Sequence, residues 1–123
     1  TGYCIGGLLA TRTAAAHPGR VAAVAAFHGP VGADGPDALA GITARVHFGH
    51  AETDLTPEAL RELNQALDAA KVDYTSEIYP GTVHGFTMSD TDAFNPGALQ
   101  HHWDRLLPLL DRTLTDRGAT ATD

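Results

Sequence analysis

The sequence predicts an α/β fold with a mostly parallel sheet and flanking helices. Short apolar or β-branched runs alternate along the chain with segments of helical character, an order that requires crossover connections and therefore a parallel sheet. One run, Val21–Phe27, is continuously apolar up to His28-Gly29-Pro30, which is typical of a strand buried on both faces. The 123 residues correspond to one small domain, and the sequence contains no internal repeat.

Three further segments complete the first half of this order. Leu8–Ala16 is rich in good helix formers, and His17-Pro18-Gly19 supplies a helix stop directly after it. Residues 30–43 are rich in Gly, Pro and Asp, which predicts a loop. Ala44–Gly49 is short and mostly apolar, so we expect the second strand there.

The second half opens with a helix and a strand. Thr56 can cap this helix, because its hydroxyl precedes Pro57 and Glu58, two residues that favour a first helical turn. The leucines that follow recur at helical spacing and form one apolar stripe: Leu60, Leu63 and Leu67. Val72–Tyr79 is β-branched and aromatic, which predicts a third strand.

The last predicted element is an amphipathic helix over Ala98–Leu114. Its predicted apolar face comprises Leu99, Trp103, Leu106 and Leu110. We expect the Trp103 ring in the core rather than in a binding surface. Pro108 should kink or break the helix, because proline lacks the backbone N–H and its ring clashes with the preceding turn. The polar residues 115–123 are expected to fray.

Composition argues against several classes of protein. Fifteen acidic and eight basic residues give a formal charge of −7, so we expect no nucleic-acid partner. No apolar run approaches the roughly 20 residues that cross a bilayer, so we expect no membrane partner. The single cysteine excludes an internal disulfide and is consistent with a cytoplasmic location.

The segment Gly2-Tyr3-Cys4-Ile5-Gly6-Gly7 is typical of a nucleophile elbow, the sharp turn from strand to helix that exposes a reactive side chain. Glycines two before and two after Cys4 are expected, because a Cβ there would strike neighbouring backbone. The turn places Cys4 at a helix amino terminus, which favours a thiolate, and makes the Ile5 N–H an oxyanion donor. By itself, the motif is equally compatible with a small buried cysteine.

His84 and Asp54 are the candidate partners of this thiol. His84 lies in a glycine-flanked loop after the third predicted strand, where a catalytic base can approach an elbow. Asp54 follows the second strand and could orient the histidine ring. Asp54 also precedes a predicted helix at the distance of a capping residue, and Glu52 is a rival for the same role, so both alternatives remain open at this point.

The other histidines do not predict a metal site. His47 and His50 lie on a strand and at its exit, so their side chains should point in different directions. His101 and His102 are adjacent on a helix, where successive side chains diverge by about 100°. Neither pair can chelate easily, and we expect no metal.

Together these residues resemble the dienelactone hydrolase family of the α/β-hydrolase superfamily. The resemblance rests on the elbow with its cysteine, on the acid that follows a later strand, and on Tyr79-Pro80-Gly81…His84-Gly85-Phe86. It extends to Asp90…Phe94-Asn95-Pro96 and to the tryptophan-bearing last helix. It implies a partial α/β-hydrolase fold in which residues 1–114 are the carboxy-terminal part of one domain, starting at the elbow.

The resemblance also implies a function, the hydrolysis of an ester or lactone without a cofactor. The implied catalytic triad is Cys4, His84 and Asp54. The resemblance further implies that the residues that bind the oxyanion or the substrate are Ile5, Tyr3 and Phe86. The family carries an arginine shortly after the catalytic histidine that holds the substrate carboxylate. Residues 87–90 contain none, which argues against a dienelactone as the substrate.

In the family, the first strands, the second oxyanion donor and a glutamate that tunes the thiol all precede the elbow. We therefore interpret the chain as part of a longer hydrolase, and expect low activity, instability or self-association as a homo-oligomer when this segment is expressed by itself. Two alternatives are a thioesterase or carboxylesterase on the same triad, and a catalytically incomplete segment that acts as a binding or oligomerising module. A thiol-redox role ranks last, because there is no second cysteine.

Overall fold

The computed structural model describes residues 1–30 and 39–115, which form helices on both faces of one sheet. The strands are β1 (Gly2–Tyr3), β2 (Ala23–Phe27), β3 (Arg45–Ala51) and β4 (Tyr74–Tyr79). The helices are α1 (Ile5–Ala16), α2 (Pro57–Ala69) and α3 (Pro96–Leu110). Short turns of 3-10 helix span Pro18–Arg20 and Glu52–Asp54, and a π-helical turn spans Asp111–Thr115. The predicted α/β class is confirmed.

The four strands form one parallel sheet in the order β1-β2-β3-β4. In the register, Gly2 lies opposite Ala26, Val24 opposite Val46, and Val46 opposite Tyr74. Because all the strands run in one direction, their carboxyl ends lie along the same edge of the sheet. That edge positions the candidate site described below.

Each face of the sheet has its own apolar core. On one face, α1 and α2 pack over strand side chains that include Val24 and Val46, and α2 contributes Leu67. On the other face, α3 packs over side chains that include Ala25 and Phe27. Successive residues of β2 thus enter opposite cores, which confirms that this strand is buried on both faces.

Side-chain caps set where α2 and α3 begin. The Thr56 hydroxyl accepts the Ala59 N–H at 3.1 Å, as the sequence predicts. The Asn95 side chain accepts the Ala98 N–H at 3.0 Å in the same way. Helix α3 therefore begins at Pro96, two residues before the predicted start.

The buried face of α3 differs from the predicted one. Its buried residues are Ala98, His102, Leu106 and Leu109. Trp103 is 42% exposed, so the prediction that its ring lies in the core was wrong. The face is rotated by about one residue because His102 enters the core, where its Nε2 lies 2.6 Å from the Tyr3 hydroxyl. A pattern based on apolar residues alone counts histidine as polar and misses this.

Pro108 lies inside α3 without breaking it. The α-helix continues to Leu110 and then widens into the π-helical turn. Pro108 is two residues from the helix end, so the hydrogen bond that it removes belongs to the final turn.

Within residues 1–30 and 39–115, no helix combines the length and the apolar character needed to cross a membrane. Residues 31–38 of the predicted loop and residues 116–123 of the predicted frayed tail lie outside the described residues.

β3 carries two buried histidines on opposite faces of the sheet. His47 lies between the Thr75 and Tyr79 hydroxyls, at 2.6 and 3.0 Å. His50 places its Nε2 3.1 Å from the Ser76 hydroxyl. The two rings therefore diverge, as predicted. Burial lowers the pKa of each to about 4.

We expect acid to destabilise this fold below about pH 6.5, because His47 and His50 bind a proton near that pH when unfolded but only near pH 4 when folded. In this window the unfolded chain holds more protons, so the free energy of unfolding falls as the pH falls, by at most about 1.4 kcal/mol per pH unit for each ring. Urea unfolding at several pH values measures the loss. His50→Gln should reduce it and His17→Ala, at an exposed histidine, should not. A free energy of unfolding that is constant across the window would contradict the prediction.

Candidate active site

Cys4 is the single residue between β1 and α1, and its backbone is strained. It has φ 54° and ψ −130°, a combination that side-chain-bearing residues rarely adopt. Two hydrogen bonds hold it: the Cys4 N–H donates to the Phe27 carbonyl at 3.1 Å, and the Gly7 N–H donates to the Cys4 carbonyl at 3.0 Å. Helix α1 therefore begins at Ile5 and not at the predicted Leu8. This strand–turn–helix geometry is that of a nucleophile elbow.

Two glycines make room for the turn. A Cβ on Gly2 would lie 2.0 Å from the Gly6 carbonyl oxygen, and a Cβ on Gly7 would lie 3.0 Å from the Ala26 Cβ. By contrast, a Cβ on Gly6 would meet nothing within 4 Å. The expectation that Gly6 must lack a side chain was therefore wrong, because Gly2 must clear the Gly6 backbone instead.

The Ile5 N–H lies at the free amino-terminal end of α1. Ile5 is the first residue of α1, so its N–H has no carbonyl partner within the helix. The Ile5 side chain is 59% exposed and lies outside both apolar cores.

The carboxyl end of every strand in the sheet contributes one polar side chain to the same cluster. Cys4 follows β1, His28 follows β2, Asp54 ends the turn after β3, and His84 lies in the turn after β4. We call these four residues the edge cluster. Ligand sites of open α/β sheets lie at this edge.

Within the edge cluster, His84 and Asp54 contact each other directly. The His84 Nδ1 lies 2.6 Å from the Asp54 Oδ2, which keeps a proton on Nδ1 and leaves Nε2 free to face the thiol. Gly81 and Gly85, which flank the loop, have φ values of 72° and 89° that favour glycine. Because Thr56 caps α2, the alternative that Asp54 is the cap is excluded.

Thr82 connects the turn that carries Asp54 to the turn that carries His84. Its buried hydroxyl accepts the Glu52 N–H at 3.0 Å and donates to the Tyr79 carbonyl at 2.6 Å. Glu52, the rival acid, thus contributes its backbone to this link, and Asp54 is the acid that contacts the ring. A threonine inside a glycine-flanked loop gave no sequence signal for this role.

His28 is the residue that sequence reasoning missed. Its Nδ1 lies 3.3 Å from the Cys4 Sγ, and its Nε2 lies 2.8 Å from the Thr87 hydroxyl. With the proton on Nε2, the ring donates a hydrogen bond to the Thr87 hydroxyl, and its Nδ1 can accept one from the Cys4 thiol. Burial, and then the neighbouring His84, lowers the pKa of His28, which favours the neutral ring. Its position directly after a buried strand, at the carboxyl edge of a parallel sheet, is the sequence signal for this role.

The surroundings of Cys4 favour the neutral thiol over the thiolate. Burial, and secondarily the charge of Asp54, raises the pKa of Cys4. These two effects oppose the helix amino terminus, which by itself would favour the thiolate predicted from the sequence. The sulfur and one nitrogen of each ring, His28 and His84, lie within 4.8 Å of one another. A thiolate can therefore form by proton transfer to an imidazole.

Tyr3 and Phe86 are engaged in packing. Phe86 is fully buried, and its ring centroid lies 4.8 Å from that of His28, so it supports that ring. The half-buried Tyr3 stacks on Phe27 with ring centroids 5.6 Å apart. Tyr3 also borders an open groove of about 330 Å³, which adjoins the edge cluster through Thr87. The other residues of this groove are Met88, Leu99, His102 and Trp103.

Comparison with known proteins relates this architecture to one family. The chain matches the model of the Dienelactone hydrolase family over residues 1–114. It resembles a crystal structure assigned as a dienelactone hydrolase from Klebsiella pneumoniae subsp. pneumoniae MGH 78578 (TM-score 0.79, 21% identity) over 88% of this chain and 49% of that one. No curated protein sequence matches the chain.

Two further solved structures are similar. A protein described as m3DLH has a TM-score of 0.76, and a dienelactone hydrolase-like promiscuous phosphotriesterase from metagenomic libraries has a TM-score of 0.73. Each is 21% identical, over 91% of this chain and 50% of the other. The chain thus spans about half the length of the structures that it matches. At this identity the likeness shows the fold, a partial α/β-hydrolase fold.

The two glycines of the elbow provide a matched pair of variants. We expect Gly2→Ala to destabilise the fold by about 3 kcal/mol or more, because its Cβ would overlap the Gly6 carbonyl. Gly6→Ala should leave stability unchanged or raise it by about 0.5–1 kcal/mol, because the new methyl group enters open space within α1. Thermal and urea unfolding measure both. Equal effects of the two substitutions would contradict the steric account of the turn.

Proposed function

The chain belongs to the dienelactone hydrolase family, and we propose that it hydrolyses carboxylic esters or lactones by acyl transfer through Cys4. The observation that carries the proposal is the strained backbone of Cys4 at the start of α1. Such a turn raises a side chain above the sheet edge, where the His84–Asp54 pair lies. The strained turn and the neighbouring His84–Asp54 pair are the basis on which we propose this activity for the whole protein.

We assign the role of general base to His84 rather than to His28. The Asp54 carboxylate, 2.6 Å from the His84 ring, would stabilise the imidazolium that forms when the ring takes a proton. The outer nitrogen of His28 contacts the neutral Thr87 hydroxyl and no acid among the described residues, and its burial disfavours a charge. In this proposal His28 is a positioning residue. Its Nδ1 accepts a hydrogen bond from the thiol and so fixes the position of the sulfur, without taking the proton.

The proposed reaction has two halves. The thiol proton moves to the His84 Nε2, the sulfur bonds to the carbonyl carbon, and the Ile5 N–H stabilises the charge on the carbonyl oxygen. The bond to the leaving oxygen breaks as His84 returns the proton to it, which leaves a thioester on Cys4. Water then attacks this thioester with His84 as base, and the acid and the free thiol are released.

The groove beside Thr87 supports a small ester or lactone as substrate. Its side chains are mostly apolar, and residues 87–90 supply no arginine for a substrate carboxylate. A thioester is the alternative substrate on the same triad. The phosphotriesterase among the similar structures resembles this chain in fold alone, so a phosphotriester belongs in the substrate panel as a comparison.

We expect Cys4→Ala to lower kcat/KM for p-nitrophenyl acetate by at least about 10³-fold, because the acyl group then has no nucleophile to accept it. His84→Ala should lose about 10²–10⁴-fold through loss of the base. His17→Ala, at an exposed histidine at the end of α1, is the matched control and should keep full activity.

Equal rates for the protein and its Cys4→Ala variant would remove the nucleophile assignment. They would favour the alternative of a catalytically incomplete binding or oligomerising module.

Asp54→Asn should separate thiol reactivity from hydrolysis. Removing the carboxylate removes a charge that raises the pKa of Cys4, so iodoacetamide should alkylate the thiol faster at about pH 8. The same substitution removes the acceptor of the His84 N–H, so kcat should fall by about 10²–10⁴-fold. Parallel changes in both rates, measured on the same samples, would contradict the assigned role of Asp54.

A further inference from the structure

We infer that Cys4, His28 and His84 form a binding site for a thiophilic divalent cation such as Zn²⁺, with the sulfur and one nitrogen of each ring as ligands. The site is assembled from the ends of three different strands, so no short sequence motif encodes it. Metal binding itself does not depend on the proposed hydrolysis. Its consequence for activity, argued below, rests on the proposed function.

The distances suit a tetrahedral ion with little rearrangement. Zinc–sulfur and zinc–nitrogen bonds of about 2.3 and 2.0–2.1 Å place neighbouring ligand atoms about 3.3–3.6 Å apart. The Cys4 Sγ and the His28 Nδ1 are already 3.3 Å apart, and all three donor atoms lie within 4.8 Å of one another. His84 makes up the remaining distance most easily, since its side chain is 51% exposed in a glycine-flanked loop.

Both histidines have the outer partners that metal-bound imidazoles require. A ligand histidine donates its second ring N–H to a carboxylate, carbonyl or similar acceptor, which fixes its tautomer and orientation. Asp54 accepts from the His84 Nδ1, which leaves the Nε2 for the metal. Thr87 accepts from the His28 Nε2, which leaves the Nδ1 for the metal on the side of the sulfur.

The donor set determines which cation fits. One thiolate and two imidazoles prefer Zn²⁺ and related borderline or soft ions to Mg²⁺ or Ca²⁺, which prefer oxygen ligands. With the thiolate and Asp54 nearby, a divalent ion would leave the edge cluster with no net charge. Three protein ligands leave the fourth tetrahedral position to water.

The metal-bound and hydrolytic forms exclude each other. A sulfur bonded to the ion shares electron density with it and is a much weaker nucleophile, and the His84 Nε2 bonded to the ion cannot take the thiol proton. If Cys4 and His84 act as proposed, Zn²⁺ is therefore a reversible inhibitor that a chelator removes.

Cobalt(II) tests the site directly, because it replaces Zn²⁺ in such sites and its spectrum reports thiolate ligation. Titration of the full reduced chain with Co²⁺ should end at one equivalent and produce a near-ultraviolet thiolate-to-cobalt band together with visible bands of tetrahedral cobalt. Zn²⁺ should then abolish both. Cys4→Ser should remove the near-ultraviolet band, and His84→Ala should weaken binding by at least about 10-fold.

Two further variants distinguish this site from any other histidine on the chain. Thr87→Ala, which removes only the hydroxyl at the His28 Nε2, should weaken Co²⁺ binding by about 10–100-fold. His101→Ala is the matched control, since His101 contacts Glu77 on β4 and lies outside the edge cluster, and its affinity should equal that of the unchanged protein. A band that survives Cys4→Ser, or one that disappears in His101→Ala, would overturn the inference.

The failure of this inference and that of the proposed function give different results. Cobalt binding that Cys4→Ser abolishes, in a protein without measurable ester hydrolysis, would support the metal site and reject the hydrolase. Ester hydrolysis that excess Zn²⁺ leaves unchanged, with no cobalt band, would reject the metal site and support the hydrolase. Hydrolysis that increases with Zn²⁺ would overturn the claim that the two forms exclude each other.

Discussion

The close passage of the Gly2 Cα beneath the Gly6 carbonyl is the contact on which the candidate site depends. With only hydrogen on that side of Gly2, the chain can leave β1, reverse within one residue and enter α1. The reversal leaves Cys4 at φ 54° and places its sulfur at the sheet edge. It also presents the Ile5 N–H at the free end of the helix. A longer turn would bury the sulfur or move it away from the other strand ends, so the local backbone strain at Cys4 is inseparable from the position of its thiol.

The parallel sheet brings the rest of the cluster to this sulfur. Each strand ends beside its neighbour. One side chain from the segment that follows each strand is therefore enough to bring together four residues that are far apart in sequence. Two outer hydroxyls then fix them: Thr82 joins the turns that bear Asp54 and His84, and Thr87 orients His28. This arrangement explains how the same sulfur can serve in either of the two proposed roles, as a nucleophile or as a metal ligand. A neutral thiol hydrogen-bonded to an imidazole suits acyl transfer, and the same atoms after loss of the proton suit a soft cation.

The sequence was informative wherever a residue's role is local. Apolar runs predicted the order of elements, Thr56 was recognised as a cap, and the glycine spacing around Cys4 predicted the elbow.

The sequence was less informative where a role depends on contacts between distant elements. His102 enters the core because Tyr3 meets it from β1, and this contact leaves Trp103 partly exposed. His28 looked like a strand terminator because its partners, Cys4 and Thr87, are 24 and 59 residues away. The choice between Asp54 and Glu52 depended on a contact with a ring 30 residues away, and spacing alone could not make it.

Asp54 acts on both ends of the proposed proton transfer, and the two effects oppose each other. Its charge raises the pKa of Cys4, which disfavours the thiolate, and its oxygen accepts the His84 Nδ1–H, which orients the ring of the proposed base. Distance decides which effect is larger. The carboxylate is in hydrogen-bond contact with the ring at 2.6 Å, whereas its effect on the sulfur is secondary to burial. Electrostatic interaction weakens with separation, so Asp54 acts mainly on the ring that it contacts and only secondarily on the sulfur. His28 also favours the neutral thiol, since its Nδ1, 3.3 Å from the sulfur, can accept the thiol hydrogen bond.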